Sequence, residues 1–348
     1  MNRYIKNFKG WDIRMKVAIV GNGNIYNLAH SYVWKSMKDV EIQATCDIIA
    51  ERAKKACNDI AAKNYYANMD DLLCNDDIDV VDICAPTYEH ARLSIAALKA
   101  GKHVICEKPI ARNLESAAEM LKAAEKSGKG LYIGHTRRFD QRWRKIKEDI
   151  DSGKIGTPVY IRRCERTWLP FPPDYWHWDP EKSGGVLLDI GIHCANLINW
   201  FFGSKPEEVF ACGKMIREEA KANGVHDLVT VMIRYEDGKT AFIDVSWAFP
   251  MTYAPFYSSL DIFGTDGRLE YSDKDANPMV FIRDRIEFPR YSPVLSANLD
   301  TFRDEIREFL DCIRGGKEPS VTTQDACDAL KVILTAEESM EKGRVIRC

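Results

Sequence analysis

From Met15 to Gly134, short apolar runs of β type (MKVAIV, VEIQATC, IDVVDI, HVICE, GLYIG) alternate with stretches whose apolar residues recur at helical spacing. Antiparallel strands can be joined by two-residue turns, whereas parallel strands need a crossover of a dozen or more residues, usually a helix. The alternation therefore predicts a parallel, doubly wound α/β sheet. Its ligand-binding loops should cluster at the carboxyl ends of the strands.

The first of those ends reads VGNGNI, followed by a helical pattern. Gly21 can take the tight turn and Gly23 lets backbone amides approach a pyrophosphate. The helix that follows points its positive dipole end at that anion. Tyr26 occupies the third fingerprint position, where Gly or Ala is usual, so helix and strand must pack differently there. Read alone, the loop also fits a glycine-rich turn without a ligand. Asp47 closes the second strand, 24 residues after Gly23. A carboxylate there accepts hydrogen bonds from the adenosine ribose and repels a 2′-phosphate, which favours NAD over NADP. An N-cap for the helix after it is the plainer role for this Asp. Ala85-Pro86-Thr87 and Glu107-Lys108-Pro109 occupy two further strand ends and should face the cofactor.

At 348 residues the chain is long enough for two cores. With 49 basic and 52 acidic residues the net charge is −3, and no block of Lys or Arg offers a nucleic-acid or membrane footprint, so a small molecule is the expected partner. Eleven cysteines with no CxxC pair suggest reduced, mostly buried thiols, hence a reducing cytoplasm, no disulfide framework and no metal site. The N-terminus lacks an apolar h-region, and no stretch is read as reaching the roughly 18 to 20 apolar residues of a membrane span. Residues 1–14 are set aside as an N-terminal extension.

Between residues 157 and 290, short β-like segments such as PVYIRRCERTW, DLVTVMIRYEDG and KTAFIDVSWAF are separated by Gly, Asp and Pro turns. Together GNGNI with His30 downstream, Asp47, APTYEH, CEKP, RRF at Arg137 to Phe139, GGVLLDIGIH and the C-terminal pattern resemble the glucose-fructose oxidoreductase, inositol dehydrogenase and rhizopine-catabolism family (Gfo/Idh/MocA) along the whole chain. The resemblance implies an NAD-binding Rossmann domain over 15–136. It also implies an α/β domain over 137–348, built on a large, mostly antiparallel sheet and used for substrate binding and homo-oligomer contacts. The cofactor set it implies is Gly21, Gly23, Asn24, Ile25, Asp47, Ala85, Pro86, Thr87, His90, Glu107 and Lys108, with Pro109 setting a turn through a cis peptide bond.

Asp189 and His193 are the one carboxylate and the one imidazole of the largely apolar run 184–203 and, four apart on a helix, share a face. Oxidation of a secondary alcohol needs a base for the hydroxyl proton, and imidazole is matched to that task near neutral pH. His193 is the expected base. The resemblance places Lys108 beside nicotinamide and the substrate oxygen, where its ammonium would stabilise the developing alkoxide or relay the proton. Asp189 would hold a neighbouring hydroxyl. A core histidine and a solvated strand-end lysine are the ordinary readings of these residues singly. Two positions depart from the family pattern: Asn196, where an Asp commonly follows the histidine, and His135 ahead of RRF.

The segment 162–180 holds Trp168, Trp176 and Trp178 with Phe171, Tyr175 and His177 among prolines. Aromatic planes stack on the apolar faces of sugar rings. Arg166, Trp168 and Tyr175, with Asp189 and His193, are the substrate candidates, and an aromatic plug in an interface is the competing reading. The expected function is an NAD-dependent dehydrogenase of a secondary hydroxyl on a sugar, cyclitol or glycoside, giving a 3-keto glycoside in the finer version. Alternatives are an NAD-containing glycoside-cleaving enzyme, an inositol 2-dehydrogenase, and a non-catalytic NAD-sensing protein.

Overall fold

The computed structural model describes residues 14–168, 171–248, 256–273, 279–282, 285–287 and 297–348. Residues 1–13 of the expected extension, and Leu169 and Pro170 of the aromatic segment, lie outside these. The first sheet contains β1 (Met15–Val20), β2 (Val40–Cys46), β3 (Asn64–Tyr66), β4 (Val80–Ile83), β5 (His103–Glu107) and β6 (Leu131–Gly134). All its pairings are parallel and the order is β3-β2-β1-β4-β5-β6. The chain thus runs outward from β1 in one direction, returns, and continues from β4 in the other. A crevice forms at the carboxyl ends of β1 and β4, where a doubly wound sheet takes its ligand.

The second sheet contains β7 (Pro158–Thr167), β8 (Pro206–Lys214), β9 (Leu228–Tyr235), β10 (Thr240–Ser246), β11 (Phe256–Gly264), β12 (Gly267–Ser272), β13 (Met279–Ile282), β14 (Arg285–Glu287) and β15 (Ile346–Arg347). Its order is β14-β13-β12-β11-β7-β10-β9-β8-β15, antiparallel throughout except for β10 beside β7. β9 alternates buried Val229, Val231 and Ile233 with exposed Thr230, Met232 and Arg234, as expected of a sheet covered on one face. The covering layer is the helix Ile192–Phe202 and the helix Thr323–Lys342, the latter opened by a capping box between Thr322 and Asp325.

The span Pro180–Phe202 has the length and mean hydropathy of a membrane-crossing helix, against the expectation that no stretch reaches that size. Counting an uninterrupted apolar run stops at Asp189 and His193, whereas mean hydropathy tolerates them. The span is a core element, with 78% of its apolar window buried in the protein.

The helix Ala297–Gly315 crosses back to the first sheet. Ile306, Phe309 and Leu310 share a core with Val17, Ile19 and Trp34, and Arg307 grips Asp39 at 2.5 and 2.9 Å.

Candidate active site

At the end of β1, Gly21 has φ +88°, and a Cβ there would lie 2.6 Å from the Ala85 amide nitrogen. Only glycine lets the first turn approach the end of β4 so closely. A Cβ on Gly23 would meet nothing within 4 Å, so its backbone borders open space. Asp47 Oδ2 accepts from the Asn22 amide at 2.8 Å and Oδ1 from the Ile49 amide at 2.9 Å. The following helix, Ala50–Ile60, has Ile49 at its cap with no side-chain cap bond. Asp47 is therefore a brace between the phosphate loop and the next strand end, with lone pairs left for a ribose. Tyr26, in the third fingerprint position, is buried in a π-helical turn, Tyr26–His30, and its hydroxyl donates to the Ala56 carbonyl.

Asn22, Gly23, Asn24, Tyr26, Asn27, Arg52, Lys55 and Tyr175 line a cleft of about 280 Å³. Both polar side-chain atoms of Asn22 are buried there without partners among the described residues. Buried amides are normally paired, so this orphan pair and the open face of Gly23 fit a polar dinucleotide. His90 is buried and bridges the Pro109 carbonyl at 2.7 Å and the Ala85 carbonyl at 2.9 Å. It ties together two of the loops expected to face the cofactor. Lys108–Pro109 is a cis peptide. The Glu107 carboxylate turns inward, accepting from His30 at 2.9 Å and from the Lys108 amide at 3.2 Å.

Beneath that floor His30 also meets Asp82 at 2.8 Å, and Trp34 donates to the same carboxylate at 2.7 Å. Burial opposes charge on His30, but Asp82 and Cys84 raise its pKa well above 6.5. Burial and the neighbouring Glu107 push the Glu305 carboxyl well up. His30, Asp82 and Cys84 place potential metal-ligand atoms within 4.8 Å of one another, atoms that are hydrogen-bonded among themselves.

Lys108 reaches from β5 to the other half of the chain. Its Nζ donates to Asp189 Oδ1 at 2.7 Å and to the Asp189 carbonyl at 2.8 Å. Asp189 lies in a π-helical turn, Leu187–Gly191, that leads into the helix Ile192–Phe202, so the expected helical spacing holds with one wider turn. Such turns loosen the regular helix ladder and recur at functional sites. Trp247, just past β10, donates Nε1 to Asp189 Oδ2 at 3.3 Å. Burial would raise the Asp189 carboxyl, but Lys108, His177 and Trp247 together hold it below the usual Asp value.

His193 is partly buried, and its Nδ1 is sealed without a partner among the described residues, which leaves Nε2 to reach a ligand. Burial, then Lys108, Arg137, His135 and Arg163, drives its pKa well below 6.5. Arg137 and Arg163 are both held by Glu165, at 2.6 and 2.7 Å. His135, the departure noted ahead of RRF, is buried with both ring nitrogens unpartnered among the described residues, and burial beside Arg138 and Lys108 lowers it to about 3. Asn196 is buried and reaches the Asp325 carbonyl at 3.4 Å.

Of the weaker substrate candidates, Tyr175 lines the same cleft as Asn22 and Gly23. Arg166 pairs with Asp244 at 2.5 Å. Strand alternation puts Arg166 on the face of β7 opposite Arg163 and Glu165, hence away from His193. Trp168 packs under Arg217, 4.2 Å from its ring centroid. Trp247, just past β10, and Glu165, within β7, carry no local signal that marks them as site residues, and His177 is one member of the aromatic segment with nothing in sequence to single it out.

Two family models match the chain. Residues 15–135 match an oxidoreductase family with an NAD-binding Rossmann fold, and residues 143–270 match the GFO/IDH/MocA C-terminal domain. The myo-inositol 2-dehydrogenase of Thermotoga maritima is 30% identical over 338 residues, covering 96% of this chain and 98% of that protein. The solved myo-inositol 2-dehydrogenase of Lactobacillus plantarum superposes with a TM-score of 0.81 at 25% identity, covering 96% and 99% of the two chains. GenD2 from gentamicin A biosynthesis, solved in complex with NAD, shares the fold with a TM-score of 0.85 at 22% identity over 99% of each chain. This chain belongs to the Gfo/Idh/MocA family of NAD-binding oxidoreductases.

Proposed function

We propose that the protein oxidises one secondary hydroxyl of a polyhydroxylated ring, a cyclitol, sugar or glycoside, with Lys108, Asp189 and His193 as the reacting group. When bound, NAD supplies the hydride acceptor. The observation that carries this reading is Lys108 reaching Asp189 across the junction of the two halves, one helical turn from His193. An ammonium has three N–H donors. Two point at Asp189, and the third is available to polarise the alcohol oxygen and stabilise it as it loses its proton. His193 is held neutral by its surroundings and accepts that proton at Nε2. The remaining lone pairs of Asp189 suit an adjacent hydroxyl and so fix which carbon is oxidised.

Gly21, Gly23, Asn24, Ile25 and Asp47 would hold the dinucleotide, with His90 holding the Ala85 and Pro109 loops around it. Relatives named for myo-inositol and D-apiose make ring polyols the first substrates to try. The aromatic cluster of Phe171, Tyr175, Trp176 and Trp247 supports the finer reading of a glycoside oxidised to a 3-keto product. Incubation with NAD and a panel of inositols, free sugars and aryl O- and C-glycosides tests it. NADH formed in proportion to a keto product is the expected result; release of an aglycone with no net NADH refutes it in favour of transient oxidation and cleavage.

The reading includes self-association through the open face of the second sheet, where Tyr160 packs on Phe242 and Phe263 and Met232 is exposed. Sedimentation of Phe263→Lys against wild type tests that contact. Equal masses would refute it.

A further inference from the structure

One imidazole near Asp189 has no part in the proton transfer above. His177 lies in the short turn Trp176–Trp178, and its ring is enclosed by aromatic neighbours. Ring centroids are 4.0 Å away for Phe171, 3.9 Å for Trp176 and 5.7 Å for Trp247, and Tyr175 stacks at 5.1 Å within 8° of parallel. Trp247 is the hinge of the geometry. Its ring borders His177, while its indole N–H is bonded to Asp189, so one side chain links His177 to the carboxylate gripped by Lys108. The His177 Nδ1 is buried and unpartnered among the described residues, and the ring as a whole is only partly buried. A histidine kept for packing alone would ordinarily satisfy its buried nitrogen within the protein.

We propose that His177 reads a ring hydroxyl adjacent to the one that is oxidised, through Nε2, and so selects the substrate's configuration. The proposal rests on the reading of the site as a ring-alcohol dehydrogenase. Burial among the rings, opposed by Asp189 and reinforced by Lys108, lowers the imidazole to about 4, so it is neutral at physiological pH. A neutral imidazole offers one donor and one acceptor, the same pair a hydroxyl offers. The stack on Tyr175 and the tilted contacts with Phe171, Trp176 and Trp247 fix the ring before substrate arrives, which spares the ordering cost that a free side chain would bring to binding. Phe171 and Tyr175, stacked on each other at 4.9 Å, form an apolar wall beside it.

The test uses the full-length protein with NAD, two parent substrates (myo-inositol and p-nitrophenyl β-D-glucopyranoside) and their monodeoxy analogues lacking one hydroxyl next to the oxidised carbon. His177→Phe keeps the stack and removes the polar edge. It should lower kcat/KM about tenfold on the parent, the effect of one lost hydrogen bond, through KM with kcat within threefold. On the analogue lacking the hydroxyl that His177 reads, it should change nothing beyond twofold. His177→Gln, which keeps a polar edge, should recover part of the discrimination. NAD affinity, read by tryptophan quenching, should match wild type in both variants and shows that they are folded. Equal losses on parent and on every analogue, or no loss at all, overturn the proposal. A fall in kcat with a shifted pH profile also overturns it, by making His177 part of the proton path. Wild type that oxidises no member of the panel overturns the dehydrogenase reading and this proposal with it; an active wild type with an indifferent His177→Phe overturns this proposal alone.

Discussion

Lys108→Met removes the ammonium that joins the two halves while keeping most of the aliphatic stem. In the wild type that ammonium gives Asp189 two charge-assisted hydrogen bonds of 2.7 and 2.8 Å. A bond to a charged group contributes about 1.5–3 kcal/mol net in buried surroundings. The two side chains are 17% and 25% exposed, so solvent screening brings the pair to about 2 kcal/mol. Urea unfolding at pH 7 should show that loss, and adding Asp189→Asn should recover at least about 1 kcal/mol of it, the coupling expected of residues in contact. The sign with pH follows from Asp189. Its carboxyl is held below the ordinary 3.8, so it contributes stability above that value and loses it as pH falls through the folded value. In the Met variant only burial and weaker neighbours remain, so the gap to wild type should narrow below about pH 4. Turnover should fall at least about a hundredfold. The acid limb of kcat/KM should move to higher pH, because His193 loses a positive neighbour while burial still keeps it under 6.5. A Met variant of wild-type stability, with no coupling to Asp189→Asn and an unmoved acid limb, refutes the linkage.

His193→Ala should lower turnover at least about a hundredfold with NAD affinity intact, and unchanged turnover would remove it as the base. Asp47→Ala should weaken NAD more than NADP in a titration; equal weakening would remove the reason for assigning the ribose contact to it. Gly21→Ala forces a Cβ to within 2.6 Å of Ala85 at φ +88°, a strain of about 1–3 kcal/mol that should displace the loop and raise the NAD Kd at least about tenfold, measured by calorimetry. Asp39, held at about 2 by Arg307 against the effect of burial, is nearly half exposed. Asp39→Asn should therefore cost less than about 1 kcal/mol, a difference that vanishes as pH falls through about 2.

Alternation of apolar runs and helical segments was enough to read the parallel sheet, because crossover length and strand burial are local properties of the chain. Glycines at 21 and 23, Asp47 at a strand end, and Asp189 and His193 in an apolar helix stand out against their immediate neighbours, whereas Lys108, between a Glu and a Pro, is singled out by the family resemblance. Local pattern also has limits. Arg162, Arg163, Glu165 and Arg166 alternate along a strand, so some must face away from any cleft, and only the helix layer packed on one face decides that Arg166 is among them. Glu107 looked cofactor-facing, yet His30, from the turn 77 residues earlier in sequence, draws it inward.

The sequence by itself determined the alternating half, the glycine turn and the identity of the polar residues in an apolar helix, since these depend on spacing along one chain. Tertiary structure decided that Lys108 meets Asp189, that burial, Lys108 and Arg137 lower the His193 pKa, and that Trp247 joins His177 to the same carboxylate. These depend on distance and desolvation between segments 81 residues apart and more, and no spacing rule along the backbone encodes them.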